Sequence, residues 1–419
     1  MGNMKEDQKN WAGNYQYSAE KVLHPKTVEE VQAFVAKSQK AKALGTRHSF
    51  NSIADTFTDH ISTKSLNKIL SLDQDRAQVV VEGGIAYGEL AEFLNQNGFG
   101  LANLASLPHI SVAGACATAT HGSGVRNQNL AAAVAAMDIV IADGSIVTLE
   151  RGTEEFDGAV VNLGGLGIVT RVTLDLVPSF NVSQAVYDNL PMSSADDHLD
   201  QILSGGYSVS LFTNWDSGYF EQVWIKRLES ENSFEPTYFE ATLADSPRHM
   251  IPTMPFENCT TQLGIPGPWH FRLPHFKMEF TPSGGEELQT EFFVERSKGA
   301  AAIQAVRELK DQISPLLYVT EIRTVAADSL WMSPAYQQDC LAIHFTWRQL
   351  VPEVTALIPK IEAQLAPFQP RPHWGKIFSM NAQTLERAFP KMAEFRKLLQ
   401  SYDPTGKFRN PFLDTYVFG

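Results

Sequence analysis

The 419-residue chain carries 43% hydrophobic and 19% charged residues, enough apolar content to bury a large core spread over two or three domains. Lys and Arg number 34 against 47 Asp and Glu, a net charge of −13 with no compensating basic run, which argues against nucleic acid as a partner. No apolar stretch approaches the roughly 20 residues that cross a bilayer, residues 1–10 lack the pattern of a secretory signal, and Cys116, Cys259 and Cys340 are too widely spaced for a disulfide framework or a metal knuckle, so a reducing cytoplasm is expected.

Residues 28–38 place Val31, Phe34 and Val35 at helical spacing after an acidic first turn at Glu29 and Glu30, and Thr27 with Glu30 has capping-box spacing. A helix is predicted there, followed by a strand over 41–44 that ends at Gly45. A second unit repeats the order: 78–82 is β-rich, Gly83 and Gly84 break it, and 87–97 brings Leu90, Phe93 and Leu94 to one helical face. Residues 137–149 carry Val and Ile on both sides of Asp143 and Gly144, which predicts a hairpin closed by a two-residue turn. A strand over 167–177 closes at Pro178, where the first domain boundary is expected. Beyond it, an irregular stretch over 252–274 and helices over 300–312 and 385–399 suit a second domain of antiparallel strands with covering helices, and 403–406 form a turn.

Gly45, Thr46, Arg47, His48, Ser49, Phe50 and Asn51 directly follow a predicted strand, so several backbone N–H groups can turn outward together as an anion nest. No Gly-x-Gly-x-x-Gly opens a helix and no Gly-Lys-Ser/Thr follows, so a nicotinamide cofactor loses ground. A second cluster over 105–124 includes Ser106, Ser111, Gly114, Ala115, Ala117, Thr118, His121 and Gly122; its small side chains let the backbone approach a ligand, and its hydroxyls and amides can bond a pyrophosphate. Gly164, Gly165 and Gly167 form a third such turn ahead of Ile168. Each alone is an ordinary tight turn, but three in one stretch point to a phosphate-bearing cofactor. Further on, Glu321 and Arg323, and again His344 and Thr346, lie two apart, so alternation puts each pair on one strand face with Ile322, Ile343, Phe345 and Trp347 opposite. Two such faces make a floor for a polyhydroxylated ligand, the competing reading being a solvated face with a surface ion pair. Lys376 has the aromatic and small neighbours Pro372, His373, Trp374 and Gly375 rather than charged ones.

These segments, together with 10–14, 267–275 and Lys407-Phe408, carry a resemblance over nearly the whole chain to the vanillyl-alcohol oxidase family of flavoenzymes. Within it the alditol oxidases match best, and the aldonolactone oxidases and dehydrogenases, which share the histidine loop, the Glu-x-Arg pair and His373-Trp374-Gly375-Lys376, are the nearest alternative. The resemblance implies an α+β protein with a two-subdomain FAD-binding domain of the vanillyl-alcohol oxidase (PCMH) type over 1–178. It implies a substrate domain with a large antiparallel sheet covered by helices over 179–376, and a C-terminal segment over 377–419 returning to the first domain. FAD would be linked covalently to His48 and bound by Gly45, Thr46, Arg47, Ser49, Phe50, Ser106, Ser111, Gly114, Ala115, Ala117, Thr118, His121, Gly122, Gly167 and Ile168, with Arg47 standing where some relatives carry a smaller residue.

The same resemblance carries Ser106, Glu321, Arg323, His344, Thr346 and Lys376 into the active site of a monomer, without nucleic acid or membrane partners, that oxidises the terminal alcohol of a polyol such as xylitol or sorbitol to the aldose. The hydride would pass to flavin N5, and O2 would take the electrons and leave as H2O2. Alcohol oxidation needs a base for the hydroxyl proton. Lys376 is the expected base if desolvation and Arg323 lower its ordinary pKa of about 10.4, and His344, ordinarily about 6.5, competes for the role. Arg323 would stabilise the developing alkoxide, Glu321 would hold that guanidinium, and Ser106 and Thr346 would bond further substrate hydroxyls. An alternative of another class, a non-catalytic carbohydrate-binding protein, rests on the seven Trp and the aromatic stretch over 266–276 and predicts a colourless protein. A zinc enzyme lacks the ligand spacing.

Overall fold

A computed structural model describes residues 8–153, 155–231, 233–280 and 286–419. Most of the N-terminal segment read above for an export signal, residues 1–7, lies outside the described residues. The first helix spans Val28–Lys37, buries Val31 and Val35, and is capped by Thr27, whose side chain accepts from the Glu30 amide. Glu30 reaches back to the Lys26 amide at 2.6 Å, one residue beyond the Thr27 amide of a standard capping box. The strand Ala41–Leu44 pairs in parallel with Asp59–Ser62, which also pairs in parallel with Lys21–Leu23.

A five-stranded antiparallel sheet follows, ordered Ile69–Asp73, Gln78–Glu82, Ile168–Asp175, Val134–Val140 and Ile146–Glu150. Its last hairpin differs from the predicted two-residue turn: Ile141 and Ser145 are joined by a backbone bond of 2.9 Å, enclosing Ala142, Asp143 and Gly144. Gly144 takes the left-handed position at φ 88°, and the Asp143 carboxylate accepts from the Ser145 amide, so the three-residue form satisfies more of the turn than the two-residue form would.

The second sheet is ten-stranded and antiparallel. Asn181–Pro191 and Tyr219–Leu228 occupy one half, then Ser208–Thr213, Leu317–Val325, Cys340–Arg348 and Glu287–Glu295 lie side by side in that order. One face is covered by Met192–Leu203, Gly299–Arg307 and Val351–Leu365, which bury Leu199, Ile303, Val306, Leu357 and Ile361 in one core with Ile322, Ile343, Phe345 and Trp347. Two predicted helices are interrupted. The run over 300–312 divides into Gly299–Arg307 and Lys310–Ile313, because the Leu309 amide tightens onto Val306. The run over 385–399 divides into Ala382–Ala388 and Met392–Tyr402, because Pro390 has no N–H to donate and forces Phe389 out of the helical region. After Tyr402 the chain returns to the first sheet, where the Ala41 amide donates to Lys407 at 3.0 Å and Lys42 Nζ donates to Phe408 at 3.1 Å.

Candidate active site

The uncovered face of the large sheet is where period-two alternation delivers its polar residues. Strand register sets Glu321 opposite His344 and His344 opposite Glu291, so three titratable groups form one row across three strands, with Gln289 opposite Thr346 in the next row. Ile322, Ile343, Phe345 and Trp347 point the other way into the core, fully buried. The two polar pairs therefore share one surface, and that surface is walled in rather than solvated: Glu321, Arg323, His344 and Thr346 are all buried.

At the centre of this floor stands Glu291, which the sequence reading did not single out. Its Oε1 accepts from Arg323 Nη2 at 2.7 Å and lies 3.2 Å from His121 Nε2, while its Oε2 accepts from Lys376 Nζ at 2.7 Å. Burial alone would raise its carboxyl, but Lys376, His121 and Arg323 together hold it well below the usual carboxylate range. Two expectations change as a result. Lys376, expected among uncharged neighbours, is paired directly with a carboxylate contributed by a strand 85 positions away. Arg323 is held by two carboxylates, since Glu321 Oε2 pairs with it 3.5 Å from Nε and Glu291 adds the shorter hydrogen bond to the same guanidinium. Glu321 also accepts from His275 Nε2 at 2.7 Å, and His275 Nδ1 faces Lys226 Nζ at 3.3 Å, so a second buried chain orients Glu321 from behind. Burial pushes Lys226 down to about 7 against the pull of Glu321, and His275 down to about 4.

Lys376 Nζ also lies 2.7 Å from His344 Nδ1, and His344 Nε2 lies 3.0 Å from Thr346 Oγ1. Lys376 has hydrogens to give, so His344 Nδ1 accepts and Nε2 carries the ring proton toward Thr346. Burial and then the Lys376 charge push His344 down to about 4, so it is neutral across the neutral range. Burial lowers Lys376 from its ordinary value and Arg323 adds to this, while Glu291 opposes. Arg323 stays charged, because burial is outweighed by Glu321 and Glu291. It also reaches Ser106 Oγ at 3.4 Å, which joins the 105–124 cluster to the floor.

A single cavity, with room for water centres over about 280 Å³, runs from this floor into the first domain. Its wall contains Gly45, Thr46, Arg47, His48, Ser49 and Phe50 from the first loop, Ser106, Ser111, Gly114, Ala115, Ala117, Thr118 and His121 from the second cluster, and Gly167 from the third. Glu321, Arg323, His344, Thr346 and Lys376 line its other end. Two of the predicted residues are elsewhere. Ile168 is fully buried in the core with Val31 and Val35, because alternation along its strand turns Val169 to the cavity. Gly122 packs against Asn103, whose Oδ1 would lie 2.2 Å from an added Cβ.

The first domain's end of the cavity fits FAD. A Cβ at Gly45 or at Gly114 would come within 2.9 Å of Ser111 Oγ, so both glycines bring bare backbone and the Ser111 hydroxyl together on the cavity wall, a small polar cradle that fits a diphosphate. Arg47 adopts φ 64°, the left-handed conformation that alternates N–H directions into an anion nest. His48 stacks under Trp11 at 5.2 Å and 21°, and its Nδ1 is buried without a hydrogen-bond partner. Burial and then His109 push its ring down to about 4, leaving a neutral imidazole. Among the described residues no group of three or more His, Cys, Asp or Glu is placed to hold a metal ion, and no helix is long and apolar enough to cross a membrane.

Residues 19–150 match the family described as FAD binding domain, and residues 286–416 match the family described as D-arabinono-1,4-lactone oxidase. Alditol oxidase of a Streptomyces strain is 45% identical over 98% of this chain and 99% of its own length. The chain belongs to the alditol oxidase branch of the vanillyl-alcohol oxidase family. This flavoenzyme is thus an FAD-dependent oxidoreductase, with its α+β architecture and FAD domain as the sequence implied. It is also 28% identical to L-gulono-1,4-lactone dehydrogenase of Mycobacterium tuberculosis, over 96% of this chain and 97% of that one. In fold the flavoenzyme is similar to the crystal structure of cholesterol oxidase from B. sterolicum, with a TM-score of 0.80 and 16% identity over 97% of this chain and 95% of that one.

Proposed function

We propose that the enzyme oxidises the terminal primary alcohol of alditols such as xylitol and sorbitol to the aldose, with O2 as the electron acceptor and H2O2 as the product. The observation that carries this reading is the buried floor itself, where Arg323, Lys376, His344, Thr346 and Ser106 converge at one end of the cofactor cavity. A site so rich in buried hydrogen-bonding groups favours a ligand with many hydroxyls, because a simple alcohol would leave those groups unpaired. Bound FAD supplies the acceptor for the hydride that leaves the alcohol carbon.

Lys376, as the neutral amine, takes the hydroxyl proton on Nζ. Its two N–H bonds are already directed to Glu291 Oε2 and His344 Nδ1, each at 2.7 Å, which leaves its lone pair for the substrate. His344 is unsuited as the base, since its Nδ1 lone pair is occupied by Lys376 and its pKa is pushed down to about 4. Arg323 offers a fixed positive charge to the oxygen as the proton leaves, and Ser106 and Thr346 bond neighbouring hydroxyls. Ser106→Ala is expected to raise KM for xylitol about 10-fold, near the ~1.4 kcal/mol of one hydrogen bond, with kcat little changed; equal KM values in steady-state assays would remove Ser106 from the substrate site.

We assign the covalent flavin link to His48. Its neutral ring and its place in the first loop on the cavity wall support this, whereas His121 belongs to the polar floor, with Nδ1 2.8 Å from the Gly122 carbonyl and Nε2 3.2 Å from Glu291. Acid precipitation of the His48→Ala variant should release FAD to the supernatant while the wild-type pellet stays yellow; flavin that remained with the variant's pellet would disprove the assignment.

The match of residues 286–416 to a lactone oxidase family favours a second reading, oxidation of an aldonolactone. Anaerobic mixing decides between them. Bleaching of the yellow protein by xylitol or sorbitol, with recovery of colour and release of H2O2 on admitting air, is the expected result. Bleaching by a sugar lactone alone would transfer the assignment to the lactone branch, and colour that did not recover in air would replace O2 by another acceptor.

A further inference from the structure

Glu291 joins Arg323, Lys376 and His121 on the polar floor, and in the proposed mechanism it serves only as an acceptor for one Lys376 N–H. It is fully buried, and groups from four different segments face it: His121 from the small-residue cluster, Arg323 from Leu317–Val325 with Glu321 beyond it, His344 from Cys340–Arg348, and Lys376 from the loop after Arg371–Pro372 with His373 nearby. A buried carboxylate costs several kcal/mol of desolvation, and this one is offset by two cations, each on a separate oxygen at 2.7 Å. A buried ion pair is often no more stable than an apolar replacement of similar volume, so stability alone gives little reason for a carboxylate here. Here its two oxygens divide between the base and the alkoxide-stabilising guanidinium.

We propose that Glu291 is the positioning residue of the reaction: it ties Lys376 and Arg323 to one anion, aims the Lys376 lone pair at the substrate hydroxyl, and sets the pH at which that lone pair becomes available. This rests on the reading of Lys376 as the base. A neutral amine has two N–H bonds and one lone pair, so two fixed acceptors determine the direction of the third position. Glu291 is one acceptor and His344 Nδ1 is the other, and the carboxylate is the one that carries charge. Its negative charge favours the ammonium form of Lys376, while Arg323 and burial favour the amine. Removing the charge therefore shifts Lys376 toward the amine at lower pH. Removing the oxygen's geometry frees both cations to drift.

The test is Glu291→Gln and Glu291→Asp, each as holoenzyme with flavin content checked by absorbance. Two profiles are measured against pH: kcat/KM for xylitol, and the extent to which Lys376 itself is acylated by trace acetic anhydride, read from its peptide by mass spectrometry. In Glu291→Gln the Lys376 acylation midpoint is expected to move about 1–2 pH units to the acid side, the kcat/KM midpoint is expected to follow it, and the plateau is expected to fall about 10–100-fold. A midpoint at the wild-type value, with activity lowered equally at every pH, would reduce Glu291 to a structural residue and overturn the inference. Should Glu291→Gln not retain flavin, Glu291→Asp decides: it keeps the charge and shortens the reach, so an unmoved acylation midpoint with a lowered kcat is expected, and an unchanged kcat overturns the positioning role. The reading of Lys376 fails separately, in the wild-type enzyme, if its acylation midpoint and the kcat/KM midpoint do not coincide.

Discussion

Lys376→Met is expected to lower kcat/KM for xylitol by about 10²–10⁴-fold, the range a positioned general base contributes, while FAD content stays at the wild-type level. Methionine keeps most of the length and apolar stem of lysine and removes the amine. Glu291 keeps Arg323 at 2.7 Å in this variant, so its carboxylate is not stranded and the floor should survive. Because the loss is one of proton transfer, kcat should fall more than KM rises.

The pH dependence has a definite sign. The catalytic form is the amine, so kcat/KM in the wild type rises with pH and levels off above the Lys376 pKa, which burial and Arg323 place below the ordinary lysine value. In Lys376→Met that rise should vanish, leaving a low and flat profile. His344 provides the contrast. It is neutral throughout the neutral range, so if it were the base the profile would show no such rise between pH 7 and 10 and Lys376→Met would keep activity within about 10-fold of wild type. That result would overturn the assignment.

How far the site was legible in the sequence follows from what each signal can carry. Alternation at Glu321 and Arg323 and at His344 and Thr346 placed the pairs on common strand faces correctly, because a period of two is a local property of a strand. The loop at 45–51, read as a nest because it follows a strand, and the small-residue cluster over 105–124 both supply residues to the cavity wall, since each signal is local to its own segment. Glu291 was not. Its strand reads Glu287-Leu288-Gln289-Thr290-Glu291, a pattern that a half-solvated strand would share, and what makes it a buried hub is strand order together with partners 32 and 85 positions away. Lys226 and His275 were missed likewise, since nothing near either residue announces that they meet behind Glu321. The divided helix at Pro390 is a different failure: the breaker was in view, and the apolar spacing of 385–399 on both sides of it masked the interruption. Ile168 was placed among the flavin-binding residues by resemblance alone, and along its strand the side chain goes to the core while Val169 lines the cavity.

Arg323→Ala is the second large effect, and it should divide into a catalytic and a stability part that can be measured apart. Removing a preorganised positive charge from a developing oxyanion is expected to lower kcat about 10²–10³-fold. Breaking a buried ion pair by deleting one partner costs about 3–5 kcal/mol when the other is stranded. Glu291 retains Lys376, whereas Glu321 keeps the neutral His275 and the more distant pull of Lys226, so most of the cost should fall on Glu321. The sign with pH follows from the direction of each shift. In the wild type Glu321 titrates well below its unfolded value, held there against burial by Arg323 and His275, so its contribution is fully present above the unfolded carboxyl pKa and is lost only as pH falls through the folded one. Without Arg323 the largest counterweight to burial is gone and Glu321 moves up from its wild-type value, so the variant's folded state takes up that proton at higher pH and the deficit caused by the substitution shrinks as pH falls. The Tm difference between wild type and Arg323→Ala should accordingly be largest near pH 7 and narrow toward pH 5. Arg323→Lys should recover part of the Tm and little of the kcat, because a single ammonium cannot reach Glu291, Glu321 and Ser106 as the fork of the guanidinium does. A Tm difference constant with pH, or an alanine variant within about 10-fold of wild-type kcat, would separate Arg323 from the charge it is assigned to stabilise.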